Sequence, residues 1–197
     1  MEAAQAPAAR PTSRAPGRLR TILVLAVAAV LVVVAAWYVA RGSAGTSVQP
    51  GSASIGDPPK IGETPPSFSG TTIGGAAFAI AALKGQPTWL TFGASWCPDC
   101  RAEAPDLQAT YARFKDKGLA VVGVFEESEA AAKDYATRIG FTFPIIADPQ
   151  STIADQYRTY GFPIHFFIGR DGTIKQVRIG RLTPSDMEQL VQQLVSG

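Results

Sequence analysis

The sequence predicts a three-layer α/β domain carried behind one N-terminal apolar segment. Three observations carry that prediction. Short apolar runs alternate with helix-forming stretches from Pro87 onward. Two further runs meet at Asp171-Gly172 and are followed by one last helix. Residues 21–40 contain no charged residue at all. Strands alternating with helices build a sheet that the helices cover on both faces.

Taken in order, residues 1–20 are rich in Ala, Pro and Arg and are expected to be a disordered tail. Residues 21–40 follow, and a helix of that length rises about 30 Å, the thickness of a bilayer core. Residues 41–63, rich in Gly, Ser, Pro and Thr, read as a flexible linker to a domain over residues 64–197. Within the domain, residues 71–78 read as a hairpin turning at Gly74-Gly75. Ala81 to Gly85 is a short helical turn ended by glycine. Pro87 to Phe92 is a buried strand, and a helix starts near Cys97 and runs to about Lys117. Pro105 is expected to kink that helix, because proline brings no amide proton and crowds the preceding turn.

Leu119 to Phe125 is apolar at consecutive positions, as in a parallel strand with both faces covered. Ser128 caps a helix over residues 129–139, stopped by Gly140. Phe143 to Asp148 is a short strand and Ser151 to Tyr160 a short helix. The runs over 164–169 and 174–179 are strands joined by the Asp-Gly turn. Thr183 and Pro184 start the final helix, which ends near Val195.

Charge divides the chain in two. Arg10, Arg14, Arg18, Arg20 and Arg41 against Glu2 give residues 1–41 a charge of +4, so the rest is −2 although the whole is +2. The arginines preceding the apolar segment act as topology signals, placing the N-terminus in the cytoplasm and the domain outside it. Trp37 and Tyr38 close the segment where an aromatic belt would sit. A cleaved signal peptide is the competing reading, but its apolar core spans about 7–15 residues, shorter than this run. Either way the domain is exported, and with no basic patch nothing in it points to nucleic acid.

The chain's two cysteines, Cys97 and Cys100, sit in Ser95-Trp96-Cys97-Pro98-Asp99-Cys100-Arg101. A C-x-x-C pair is either half of a zinc site or a dithiol/disulfide redox centre. Zinc needs two more ligands and the chain has one histidine, His165, so the redox reading leads. So short a loop restrains little unfolded-chain entropy, which makes the pair a poor staple and a good exchangeable bond.

These residues resemble the thioredoxin fold, and more narrowly the TlpA/ResA-like membrane-anchored thiol-disulfide oxidoreductases. The likeness covers about Pro65 to Val195. It rests on Trp96-Cys97-Pro98-Asp99-Cys100, on Pro105 five residues after Cys100, on Phe143 to Asp148, and on Gly161-Phe162-Pro163 some sixty residues on. It implies a central mixed sheet between helix layers and a redox-active Cys97–Cys100 disulfide with no other cofactor. It also implies a cis-proline at Pro163, with the backbone of Phe162 open beside Cys97 to pair with an extended substrate and Trp96 packed beside the dithiol. Glu103 matches the family's acidic residue on the active-site helix, and i,i+3 spacing puts it on the face of Cys100. Thr91 stands where thioredoxins proper carry a buried aspartate.

At a helix N-terminus a thiol's pKa falls, so Cys97 is the expected nucleophile. Cys100, one turn in, is expected to be more buried and to act second, deprotonated with help from Glu103. Asp99 sets negative charge near Cys97 and favours a reductant over a strong oxidant. The resemblance implies exported protein disulfides, apocytochrome c among them, as substrates, and a membrane thiol-disulfide electron donor. Two alternatives use other chemistry. A copper-binding metallochaperone would join His165 to Cys97 and Cys100, since soft thiolates suit Cu(I). A peroxidase on this fold sets its attacking cysteine in Thr-x-x-Cys with an arginine partner, a setting Thr91 and Arg101 do not reproduce. Arg101, Lys115 and Lys117 read as a solvated helix face.

Overall fold

The computed structural model describes Ile22, residues 25–34 and residues 58–197. The chain divides into two units, Met1–Ser52 and Ala53–Gly197. In the first, residues 25–34 are helical, with Leu25, Leu31, Val32 and Val33 exposed. No helix among the described residues is long and apolar enough to cross a membrane. The remainder of the expected 21–40 span, the tail over 1–20 and most of the linker lie outside the described residues.

The second unit is built on a five-stranded mixed sheet. A short hairpin, β1 (Ser69–Thr71) against β2 (Ala77–Ala79), precedes a 3-10 turn over Ile80–Leu83. Next come β3 (Thr88–Gly93), α1 (Pro98–Phe114), β4 (Ala120–Phe125) and α2 (Glu129–Ile139). Then follow β5 (Ile145–Ala147), α3 (Thr152–Tyr157), β6 (Ile164–Ile168), β7 (Ile174–Ile179) and α4 (Pro184–Ser196). The strand order is β5-β4-β3-β6-β7. β3 lies at the centre, parallel to β4 and antiparallel to β6. Every residue of β3 is buried, the polar Thr88 and Thr91 included.

The two faces of the sheet carry separate cores, because successive strand residues point to opposite sides. Trp89, Val121 and Phe167 pack with Leu107 of α1, Tyr135 of α2 and Met187 of α4. Leu90, Phe92, Val122 and Phe166 pack with Phe68, Ile80 and Tyr157 on the other side. Tyr157 ties the entry segment to that second face by donating its hydroxyl to the Pro66 carbonyl at 2.7 Å. Each fully buried apolar side chain of this kind contributes about 1.5–3 kcal/mol.

Several boundaries follow from caps read in the sequence. Ser128 accepts from the Ala131 amide, and Thr183 forms a capping box with Asp186 ahead of Pro184. Other elements differ. The helix from Cys97 stays α-helical only to Phe114, across Pro105, and finishes as a 3-10 turn over Lys115–Lys117 before the left-handed Gly118. The helix expected to reach Tyr160 ends at Tyr157, because Arg158 takes a left-handed conformation and leaves the helical path.

Candidate active site

The site forms where β3 ends. β6 runs antiparallel to β3 and pairs Ile164 with Phe92, so the residue before β6, Pro163, arrives beside the chain leaving β3. That chain is Gly93-Ala94-Ser95-Trp96, which delivers Cys97 as the N-cap of α1. The Phe162–Pro163 bond is cis, as the resemblance implies.

Cys97 and Cys100 form a disulfide with 5.3 Å between their Cα atoms. The Cys97 sulfur accepts from the Cys100 amide at 3.1 Å, the N-cap bond of α1. This amide and the helix dipole stabilise negative charge, the condition for a Cys97 thiolate. The expectation that Cys100 is the more buried of the two is not met: Cys97 is 4% exposed and Cys100 7%. The Cys100 sulfur lies against β3, where a Cβ at Gly93 would sit only 3.1 Å from it. What separates the cysteines is their surroundings.

Cys97 borders an open groove of about 420 Å³, with Trp96, Pro98, Glu126, Thr159, Tyr160, Gly161 and Phe162. Trp96 and Tyr160 are exposed, and the Trp96 ring lies 5.8 Å from that of Phe162. Trp96 and Phe162 thus line the groove beside Cys97, and Pro163 lies on the Cys100 side. Cys100 instead borders an internal void of about 20 Å³, shared with Thr91, Glu103, Tyr135 and Pro163. A space of that size holds about one water molecule.

Glu103 is not a solvated helix carboxylate. It is 3% exposed, and its Oε2 accepts from the Leu182 amide at 3.0 Å. Its Oε1 faces Nε2 of His165 at 3.5 Å. Arg101 is exposed on the same helix, and its guanidinium donates to the Ser95 carbonyl at 3.3 Å.

The sequence reading missed three groups. His165 has no part in the exchange chemistry read from the sequence, yet it is fully buried with its ring beside Glu103. Its register opposite Thr91 puts it there, and its Nδ1 lies 3.0 Å from the Thr91 hydroxyl. Glu127, just past β4, is buried and takes both the amide and the hydroxyl of Ser95, tying down the loop before Trp96. Tyr135 of α2 donates its hydroxyl to the Cys100 carbonyl at 3.3 Å. Burial, reinforced by the Glu103 carboxylate, pushes that hydroxyl up to about 12. The alternation of β6 about Pro163 signals the inward face of His165; nothing local signals Glu127.

The copper alternative requires His165 beside both sulfurs. Its Nδ1 is instead engaged by Thr91 and Trp89 while its Nε2 faces Glu103. Among the described residues no three His, Cys, Asp or Glu side chains come together as a metal-ligand group. Clefts of about 240 and 370 Å³ flank Asp171 at the opposite end of β6, away from the dithiol.

The chain is similar in sequence and fold to known proteins. The AhpC/TSA family model matches residues 61–177. The thiol-disulfide oxidoreductase ResA of Geobacillus kaustophilus is 29% identical over 135 residues, covering 68% of this chain and 78% of that protein. The thioredoxin-like protein YneN of Bacillus subtilis is 33% identical over 132 residues, covering 65% and 76%. The crystal structure of a thiol:disulfide interchange protein of the thioredoxin family from Chlorobium tepidum aligns with a TM-score of 0.62 at 28% identity. It covers 71% of this chain and 98% of that one.

Proposed function

The chain belongs to the AhpC/TSA family and is a ResA-like thiol-disulfide oxidoreductase with a thioredoxin-like fold, and we propose that it works outside the cytoplasm as a reductant of exported protein disulfides. One observation carries the chemistry. A disulfide at a helix N-terminus has one sulfur on an open aromatic groove and the other beside a buried carboxylate. In the reduced protein the Cys97 thiolate attacks one sulfur of a substrate disulfide. The substrate S–S bond breaks, and the sulfur that leaves takes up a proton. Cys100 then gives its proton to Glu103, directly or through one water in the void, and attacks the Cys97 sulfur. The mixed disulfide breaks, Cys97–Cys100 closes, and the second substrate sulfur leaves as a thiolate that takes up the proton Glu103 gives back. Two electrons pass to the substrate.

The exported location is supported by the uncharged run over 21–40 and the arginines before it. In this reading the run is an uncleaved single-pass anchor and the domain stands on the outer face. An oxidising space makes a reductant depend on resupply, so a membrane thiol-disulfide carrier is the proposed donor, and apocytochrome c is one proposed acceptor. Trapping tests the mechanism: a Cys100→Ser variant should accumulate mixed disulfides through Cys97, identifiable by mass spectrometry. Absence of adducts in that variant, with Cys97→Ser behaving identically, would sink the exchange mechanism.

A further inference from the structure

His165 is fully buried, and its Nε2 is a buried side-chain atom with no hydrogen-bond partner within bonding geometry among the described residues. A buried polar atom left unpaired costs about 1–3 kcal/mol, so the arrangement calls for a reason. The other ring nitrogen supplies one. The Trp89 indole N–H lies 3.3 Å from Nδ1, and an indole nitrogen can only donate. Nδ1 is therefore an acceptor and carries no proton. The Thr91 hydroxyl, 3.0 Å from the same atom, must donate as well. A neutral imidazole without a proton on Nδ1 carries it on Nε2. The acceptor that this N–H faces is Oε1 of Glu103, 3.5 Å away, while Oε2 is held by the Leu182 amide.

We propose that His165 is a positioning residue for the resolving step. Trp89 and Thr91 fix it as the neutral Nε2–H tautomer, and that N–H holds the carboxylate of Glu103 toward Cys100. The proposal rests on the reading above in which Glu103 accepts the Cys100 proton. It adds to it that Thr91, Trp89 and His165 form the support that sets this carboxylate. In the disulfide form Nε2 of His165 and Oε1 of Glu103 stand 3.5 Å apart. An orienting hydrogen bond behind a reactive group is how such groups are held in register.

Two measurements on the full domain test this. The chain has one histidine, so a long-range 1H–15N spectrum reports His165 without assignment ambiguity. The expected result is a neutral ring protonated at Nε2 at pH 7; a ring protonated at Nδ1, or charged, overturns the proposal. The second measurement follows formation and decay of the Cys97 mixed disulfide with a peptide disulfide after rapid mixing. His165→Leu should slow decay about tenfold and change formation less than twofold, about one lost hydrogen bond to a charged group. His165→Gln, which keeps an N–H donor, should recover most of that loss, and circular dichroism checks that both variants fold. A His165→Leu variant with normal decay, alongside a slowed Glu103→Gln, overturns the role of His165 alone. A Glu103→Gln variant with normal decay overturns the reading beneath it.

Discussion

Two buried glutamates, Glu103 on the dithiol helix and Glu127 behind the loop that precedes it, are satisfied differently. Glu127 spends both carboxylate oxygens on one residue, Ser95, through its amide and its hydroxyl. Glu103 spends one oxygen on the Leu182 amide and leaves the other toward His165 and the void beside Cys100. A carboxylate with both oxygens hydrogen-bonded to one loop residue serves as an anchor for that loop. One with an oxygen in reserve can take a proton and return it. Burial alone does not tell the two apart; remaining hydrogen-bonding capacity does.

Removing each charge separates these roles. Glu103→Gln should slow the resolving step by about 10²-fold, the lower end for a lost general acid–base group, while attack by Cys97 stays within a few-fold. Quenched-flow alkylation and mass spectrometry resolve the two steps, and an equal slowing of both would make Glu103 a second anchor. Glu127→Gln should change both steps together and lower the thermal midpoint by roughly 5 °C, since a hydrogen bond to a charged group contributes about 1.5–3 kcal/mol. Calorimetry checks this, and an unchanged midpoint would remove Glu127 from its anchoring part.

Tyr135 sharpens the same contrast at alkaline pH. Its hydroxyl is raised above its ordinary value of 10.0 to about 12, because burial and Glu103 disfavour the phenolate. A group raised in the folded state stabilises fully below its unfolded pKa, and that contribution is lost as pH rises through the folded one. Thermal midpoints should therefore fall between pH 10 and about 12, and less steeply in Tyr135→Phe. The smallest effect belongs to Asp171, an exposed carboxylate held low, at about 2, mainly by its hydrogen bond from Lys175. Asp171→Asn should leave the midpoint and both exchange steps unchanged at neutral pH, which a parallel melt and kinetic run would check.

Much of the fold was legible because its signals are local. Ser128, Gly140 and Thr183 mark helix ends through their own backbone and side-chain chemistry, and each marks one here. The β6–β7 pairing follows from an Asp-Gly turn between two apolar runs. Cys97 and Cys100 were legible from their own spacing, while Pro163 and Glu103 came with the family resemblance that the surrounding motifs carry. What stayed hidden needs distant strands in register. His165 meets Thr91 and Trp89 across the β3–β6 pair, 74 and 76 residues apart, and Glu127 reaches Ser95 from 32 residues away. The relative burial of the cysteines was misread because spacing along a helix says nothing of how a closed disulfide sits against the sheet at Gly93.

The central claim is that this dithiol gives electrons to its substrates. Asp99, exposed in the first turn of α1, sets negative charge near the Cys97 thiolate and so opposes the strongly oxidising state. Equilibrating the protein in glutathione redox buffers, then alkylating at low pH and weighing the products, gives its reduction potential. The expected midpoint lies between about −270 and −200 mV, in the range of thioredoxins and glutaredoxins. A midpoint near −120 mV, that of a strong disulfide donor, would contradict it.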